Sequence, residues 1–147
     1  MSTVLYCFWR VFHCCESGGA HAHNSGQDSL YQTDVDAAIA FYTELLGFQI
    51  DMHPAPGFAM VSSGKLQLLL NRPGAGGAGQ PMPDGQSPTP GGWNRIQLEV
   101  EDLAATVVQL QSAGARFRNT IVSGNGGQQI LVEDPSGNPI ELSQPTR

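Results

Sequence analysis

The chain reads as α+β: two βαβββ modules in tandem, their mixed sheets curled into a cup. Three features of its 147 residues carry that reading. Helix signals of the same construction recur 68 residues apart, counted between candidate capping aspartates at positions 34 and 102. Strand-like segments follow each helix in the same order. A stretch dense in glycine and proline separates the two sets. The expected organisation is an N-terminal extension over 1–26, a first module over 27–71, a linker over 72–93 and a second module over 94–147.

In "TDVDAAIAFYTELLGF", Asp34 is placed to cap a helix, with Asp36 in the first turn, where negative charge suits the helix dipole. Val35, Ile39, Tyr42 and Leu46 fall at helical spacing, and Gly47 stands where a C-terminal glycine would end the helix. In "EDLAATVVQLQSAGARF", Asp102 takes the capping place, Leu103, Val107 and Leu110 form the stripe, and Gly114 closes it. After the first helix come "FQIDM", "FAMVSS" and "KLQLLLN"; after the second come "ARFRNTI", "QQILVED" and "NPIELSQ". The turns between them carry "SSGK" at 62–65 and "DPSGNP" at 134–139.

Before the second helix, "RIQLEV" alternates, with Ile96, Leu98 and Val100 on one face and Arg95, Gln97 and Glu99 on the other. The matching strand of the first module is harder to find. In "HAHNSGQDSLYQT" only Leu30 and Tyr31 offer large apolar side chains. Either a weak edge strand lies there, or "VLYCFWRVFH" supplies it, or the module is open at that edge. The segment 71–94 cannot carry a helix or a central strand, because half its positions are Gly or Pro; it is a linker or a mobile flap.

Composition narrows the function classes. A content of 40% hydrophobic and 14% charged residues fits a globular domain. A net charge of -6 with only 7 Lys plus Arg argues against nucleic-acid and anionic-membrane partners, since both need clustered cations. Cys7, Cys14 and Cys15 are odd in number and crowded together, so a reducing, cytoplasmic location is expected. The opening "MSTVLYCFWRVFHCC" has no basic stretch before its apolar run, Arg10 interrupts that run, and no small-residue cleavage site follows. It reads as an extension or edge strand packed on the domain or on a partner chain.

The segments "DVDAAIAFYTELLGFQI", "NRIQLEVEDLAATVVQLQSAGARF" and "ILVEDPSGNPIEL" resemble the vicinal oxygen chelate superfamily. That group includes glyoxalase I, the bleomycin resistance proteins, the fosfomycin-modifying transferases and the extradiol dioxygenases. The likeness covers about residues 28 to 145. It implies paired βαβββ modules forming a cup, often completed across a homodimer. In metal-dependent members, the resemblance implies, the strand after the D-P-x-G-N turn carries a glutamate ligand, and Glu141 stands there. The other ligands come from the matching strand of the first module and from positions seven residues before each capping aspartate.

Those positions are occupied here by Leu68 or Leu69, by Gln27 and by Arg95. Leucine coordinates nothing, the Gln27 carbonyl is a weak donor, and a guanidinium has no lone pair to give. The implied metal centre is dismantled, and no cofactor is expected. If a divalent ion were bound, Glu141 with Gln27 or His23 would hold it. The resemblance implies that Arg95 and Glu141 converge on one site, so they are expected to pair or to share a polar ligand, which offsets the cost of a buried lone carboxylate. Gln27, Asn71, Trp93, Arg95, Gln97, Glu99 and Glu141 are the expected ligand-pocket residues, Glu141 being catalytic only if the protein is an enzyme. The bland alternatives are an exposed edge-strand carboxylate for Glu141, a surface arginine for Arg95 and a packing anchor for Trp93.

The histidines add little. His21 and His23 form an H-x-H in a small-residue stretch, His13 is out of register with any implied ligand, and His53 precedes Pro54 in an expected loop at the cup mouth. The preferred function is a homodimeric cup that holds a small organic molecule such as an antibiotic, as the bleomycin resistance proteins do. The alternative is a metal-dependent lyase, dioxygenase or thiol transferase of the same superfamily. A third reading, from another class, is an interaction module whose cup is filled by side chains.

Overall fold

A computed structural model describes residues 26–75 and 79–146. Two mixed sheets form the frame. In the first, β1 (Gln27–Tyr31), β2 (Gln49–Ala55), β3 (Phe58–Ser63) and β4 (Leu66–Asn71) lie in the order β1-β4-β3-β2. In the second, β5 (Ile96–Glu99), β6 (Arg116–Phe117), β8 (Gly127–Glu133) and β9 (Pro139–Pro145) lie in the order β5-β9-β8-β6, and β7 (Val122–Gly124) also pairs with β8. Each first strand runs parallel to the last strand of its own module, β1 to β4 and β5 to β9. The remaining pairs are antiparallel. The weak first strand is therefore real and lies at a sheet edge, where only one neighbour has to be satisfied.

Helices α1 (Val35–Ala40) and α2 (Leu103–Ser112) are built alike. The Asp34 carboxylate accepts from Ala37 N at 3.0 Å, and the Asp102 carboxylate accepts from Ala105 N at 2.9 Å, each satisfying an orphan amide of the first turn. On α2 the buried residues are Leu103, Val107 and Leu110, as the spacing predicts. On the first helix the expected stripe changes register. A π turn over Phe41–Leu45 follows α1, and Val35, Ala38, Phe41 and Tyr42 are the buried residues, with Ile39 and Leu46 only partly covered. The wider turn brings consecutive residues closer in angle, so Phe41 and Tyr42 both reach the core, in edge-to-face contact at 5.3 Å.

Two further expectations are corrected. The strand expected over "ARFRNTI" is cut short to β6, and β7 begins only beyond it: Arg118 N still donates to the Leu131 carbonyl at 3.0 Å, but Leu131 N donates to the Asn119 side-chain oxygen at 2.8 Å instead of to a backbone carbonyl. His53 lies within β2 rather than in a loop, 3.7 Å from Asp36 on α1. Proline follows it without harm because β2 is an edge strand, where a missing N–H leaves no ladder bond broken. The N-terminal extension, with His13, His21, His23 and the three cysteines, lies outside the described residues. Among the described residues no helix is long and apolar enough to cross a membrane.

Both helices and both sheets share one core, in which Leu68, Leu70, Ile140 and Leu142 are fully buried. A buried carboxylate joins the modules. Asp134 opens the β8–β9 turn and has no exposure to solvent. Its Oδ2 accepts from Gln32 Nε2 at 2.6 Å, Asn138 Nδ2 at 2.9 Å and Tyr42 OH at 3.2 Å. Its Oδ1 accepts from the backbone N–H of Ser136 and of Asn138, both at 2.9 Å. Gln32 and Tyr42 belong to the first module and the turn to the second. The burial of Tyr42, then the charge of Asp134, then the hydrogen bond to it, hold the phenol well above its ordinary pKa of 10.0.

Replacing Asp134 with Ala strands buried donors in both modules and should cost about 3 kcal/mol or more, read by urea unfolding. Because the folded state prefers the neutral phenol, the Tyr42 contribution is fully present below pH 10 and is lost as pH rises through the higher folded-state pKa. Stability measured above pH 10 should therefore fall less steeply in Tyr42→Phe than in the parent. At Gly127 (φ +132) an added Cβ would run into the carbonyl of Gln144 and lie 2.8 Å from Pro145 Cα. Gly127→Ala should cost about 2 kcal/mol or more, seen as a lowered urea midpoint.

Candidate functional site

Strand alternation sets which side chains line the open face of the second sheet. Ile140 and Leu142 point into the core with Leu103 and Leu110 of α2, so Glu141 and Ser143 take the opposite face. β5 places Gln97 beside Glu141 and Glu99 beside Ser143. β8 places Leu131 and Gln129 against the same two residues from the other side. A cleft of about 480 Å³ opens on this face, lined by Gln97, Glu99, Gln129 and Ser143 and rimmed by the β7–β8 hairpin. Gln97 and Glu99 were singled out from the sequence; Gln129, Ser143 and the hairpin were not. The same alternation in "QQILVE" and "IELSQ" carries the signal for Gln129 and Ser143, whereas the hairpin rim has none.

Arg95 and Glu141 come together at the edge of this face. Arg95 Nε donates to Glu141 Oε2 at 2.6 Å, with the carboxylate side chain 10% exposed and the arginine 39%. The charge in "NPIEL" that breaks the apolar pattern is thus a cup-face carboxylate with its own counter-ion. A second opening, a crevice of about 410 Å³, runs between the edge strands β1 and β5. Asp28, Ser29 and Leu30 line one side, and Asn94, Arg95 and Gln97 the other. Gln97 borders both openings.

The other expected pocket residues lie apart from the cleft. Gln27 Nε2 donates to Gln67 Oε1, Gln67 Nε2 donates to Asp51 at 2.9 Å, and Ser62 donates to the same carboxylate at 2.8 Å. This makes a polar row across the first sheet. Asn71 Nδ2 donates to Ser29 Oγ at 2.7 Å. Trp93 is 73% exposed beneath the Arg118 guanidinium, 5.0 Å from its ring centroid, in a shallow depression with Arg116, Phe117 and Glu133. Arg118 is itself pinned by Glu133 at 2.7 Å and by the carbonyls of Gly92 at 2.6 Å and Gly137 at 2.9 Å. The end of the linker is thereby tied to the second module, with Gly91 N donating to Asn138 Oδ1 at 2.8 Å.

The implied metal can be tested on this donor set. Leu69 sits beside Ser29 as Glu141 sits beside Gln97, so the first module offers a hydrocarbon where the second offers a carboxylate. Leu68 is buried in the core instead. Arg95 has no lone pair to give, and it occupies one Glu141 oxygen. The Gln27 amide is turned to Gln67. Among the described residues no group of three or more His, Cys, Asp or Glu is placed to hold a metal. These residues do not fit a divalent ion.

Comparison with known proteins places the chain among relatives. It is 33% identical over 120 residues to CFP32 of Mycobacterium bovis, whose name suggests a glyoxylase; the match covers 80% of this chain and 44% of that protein. The chain thus spans less than half the length of this curated relative. Among solved structures, TnmS3, an antibiotic binding protein from Streptomyces sp. CB03234, is 25% identical with a TM-score of 0.65, covering 87% of this chain and 99% of that one. A glyoxalase/bleomycin resistance protein/dioxygenase from Nocardioides shares the fold at a TM-score of 0.70 and 17% identity, covering 95% and 94%. The family model for the Glyoxalase/Bleomycin resistance protein/Dioxygenase superfamily matches residues 20–142, so the chain belongs to that superfamily.

Proposed function

We propose that this protein binds a small organic molecule on the open face of its second sheet, without a resident metal, and works as a homodimer. The observation that carries this reading is the Arg95–Glu141 pair at 2.6 Å, where the glutamate expected to ligate an ion is neutralised by an arginine instead. The cleft beside it, lined by carboxamides, hydroxyls and one carboxylate, offers hydrogen-bonding positions in a concave setting. Similarity to TnmS3, an antibiotic binding protein, supports an antibiotic or a compound of similar bulk as the ligand. In a homodimer the exposed polar row of the first sheet in one copy would supply a wall over the cleft of the other. Sequestration of the compound, rather than its conversion, is the outcome this arrangement serves.

The test is metal analysis of tag-free protein followed by thermal denaturation with bleomycin and a panel of bulky antibiotics. Metal well below one equivalent is expected, together with stabilisation by at least one compound. A ligand held at 100 times its Kd should add about 2.7 kcal/mol. Stoichiometric Zn, Mn, Fe or Ni that Glu141→Ala removes would overturn this reading in favour of a metal-dependent lyase, dioxygenase or thiol transferase. The pair also has a stability signature. Arg95→Ala leaves a nearly buried carboxylate alone and should cost about 1–3 kcal/mol, reduced from the fully buried case because Arg95 is 39% exposed. Replacing both residues by Met and Leu should restore most of that loss, as urea unfolding would show.

A further inference from the structure

We infer that Trp93 and Arg116 form a second binding site, a stacking shelf for a small planar aromatic carboxylate, separate from the cleft. Among the described residues Trp93 is the most exposed large hydrophobic side chain, at 73%. Its ring is nevertheless held, because the Arg118 guanidinium lies over one face at 5.0 Å from the centroid. Arg118 is fixed in turn. Its Nε donates to Glu133 Oε1 at 2.7 Å, its Nη1 to the Gly92 carbonyl at 2.6 Å and its Nη2 to the Gly137 carbonyl at 2.9 Å. Every nitrogen of that guanidinium is used, and the Gly92 bond also anchors the backbone just before Trp93. An aromatic face that is already ordered can take a flat ring with little further loss of freedom.

Charge decides what the ring should carry. Arg118 and Arg116 share the single carboxylate of Glu133, at 2.7 Å and 3.4 Å. Two cations against one anion leave positive charge in the depression that Trp93, Phe117 and these three residues line. Arg118 is only 18% exposed and fully bonded, so the available charge is that of Arg116, which is 67% exposed. Glu44 borders the neighbouring groove but makes no ion pair with Arg116 among the described residues. A guanidinium meets a carboxylate as a two-donor fork, and a cation already over the indole disfavours a second one on the open face. A polyanion is a poor occupant, because 13 acidic residues oppose 7 basic ones over the whole chain. A single carboxylate feels mainly the local arginines, since more distant charges are screened. None of the residues around the shelf lines the cleft of the second sheet.

The test titrates the full chain, uniformly labelled with 15N, with naphthoate and with its neutral isostere naphthamide at neutral pH and low salt. The indole N–H resonance that Trp93→Phe removes identifies the shelf, since Trp9 is the one other tryptophan in the sequence. Naphthoate is expected to move that resonance saturably and to bind about fivefold more tightly than naphthamide, a preference that fades at about 0.5 M salt. Arg116→Gln should erase the preference, and Arg116→Lys should keep most of it. Arg116 is largely exposed, so the other resonances of both variants should stay in place and report an intact fold. No saturable shift at Trp93, equal binding of naphthamide, or full naphthoate preference in Arg116→Gln would each overturn the assignment. Shifts at the Gln97 and Gln129 carboxamides in place of Trp93 would put the molecule in the cleft and remove the second site, leaving the small-molecule reading standing.

Discussion

Asp134 takes up five hydrogen bonds with no access to water, and the placement of everything else follows from how those donors are distributed. Two of them close its own turn, as the amides after an aspartate often do. Two others come from Gln32 and Tyr42, which lie 102 and 92 residues earlier in the chain. A buried carboxylate tolerates no vacancy in such a shell, since an unpaired charge in the interior costs far more than one hydrogen bond returns. The end of β1 is therefore held against the start of β9, and Asn138 reinforces the joint by donating to the Tyr31 carbonyl at 2.8 Å.

The two modules share a ground plan but have divided its chemistry. Both use an aspartate to cap the helix, both set the first strand parallel to the last, and both bury leucines or isoleucines on the helix side. On the open side they differ. The first sheet closes its polar side chains on one another in the Gln27, Gln67, Asp51 and Ser62 row, and puts Leu69 at the position of Glu141. The second keeps Glu141 and gives it Arg95. An arginine answers the carboxylate electrostatically, as a cation would, but it adds donors where a metal would add an electron-pair acceptor. A fold that serves metal chemistry in some members can thereby become a hydrogen-bonding surface.

The parts of this architecture legible in the sequence are those governed by near neighbours. Capping aspartates, the closing Gly47 and the strand alternation around Glu141 all act within a few residues, and each reads correctly from the string. The pairing of Arg95 with Glu141 was legible for a different reason: the family resemblance puts both positions around one site, and a carboxylate there needs a counter-charge. The π turn, by contrast, comes from the competition of Phe41 and Tyr42 for the same core, which spacing alone does not reveal. The break between β6 and β7 comes where the Asn119 side chain accepts the Leu131 amide across the ladder, a partner 12 residues away in sequence.

From the string alone come the two capped helices, the order of the repeat, and the inability of Leu69 and Arg95 to ligate a metal, because side-chain chemistry and local periodicity do not depend on what lies across the fold. It takes the folded chain to reveal that "DPSGNP" does more than turn the backbone, that Trp93 stacks under Arg118 away from the cleft, and that Gln27 Nε2 donates to Gln67. Those outcomes depend on residues far apart in sequence meeting at hydrogen-bond distance. No window of the chain contains both partners, so no local pattern could report them.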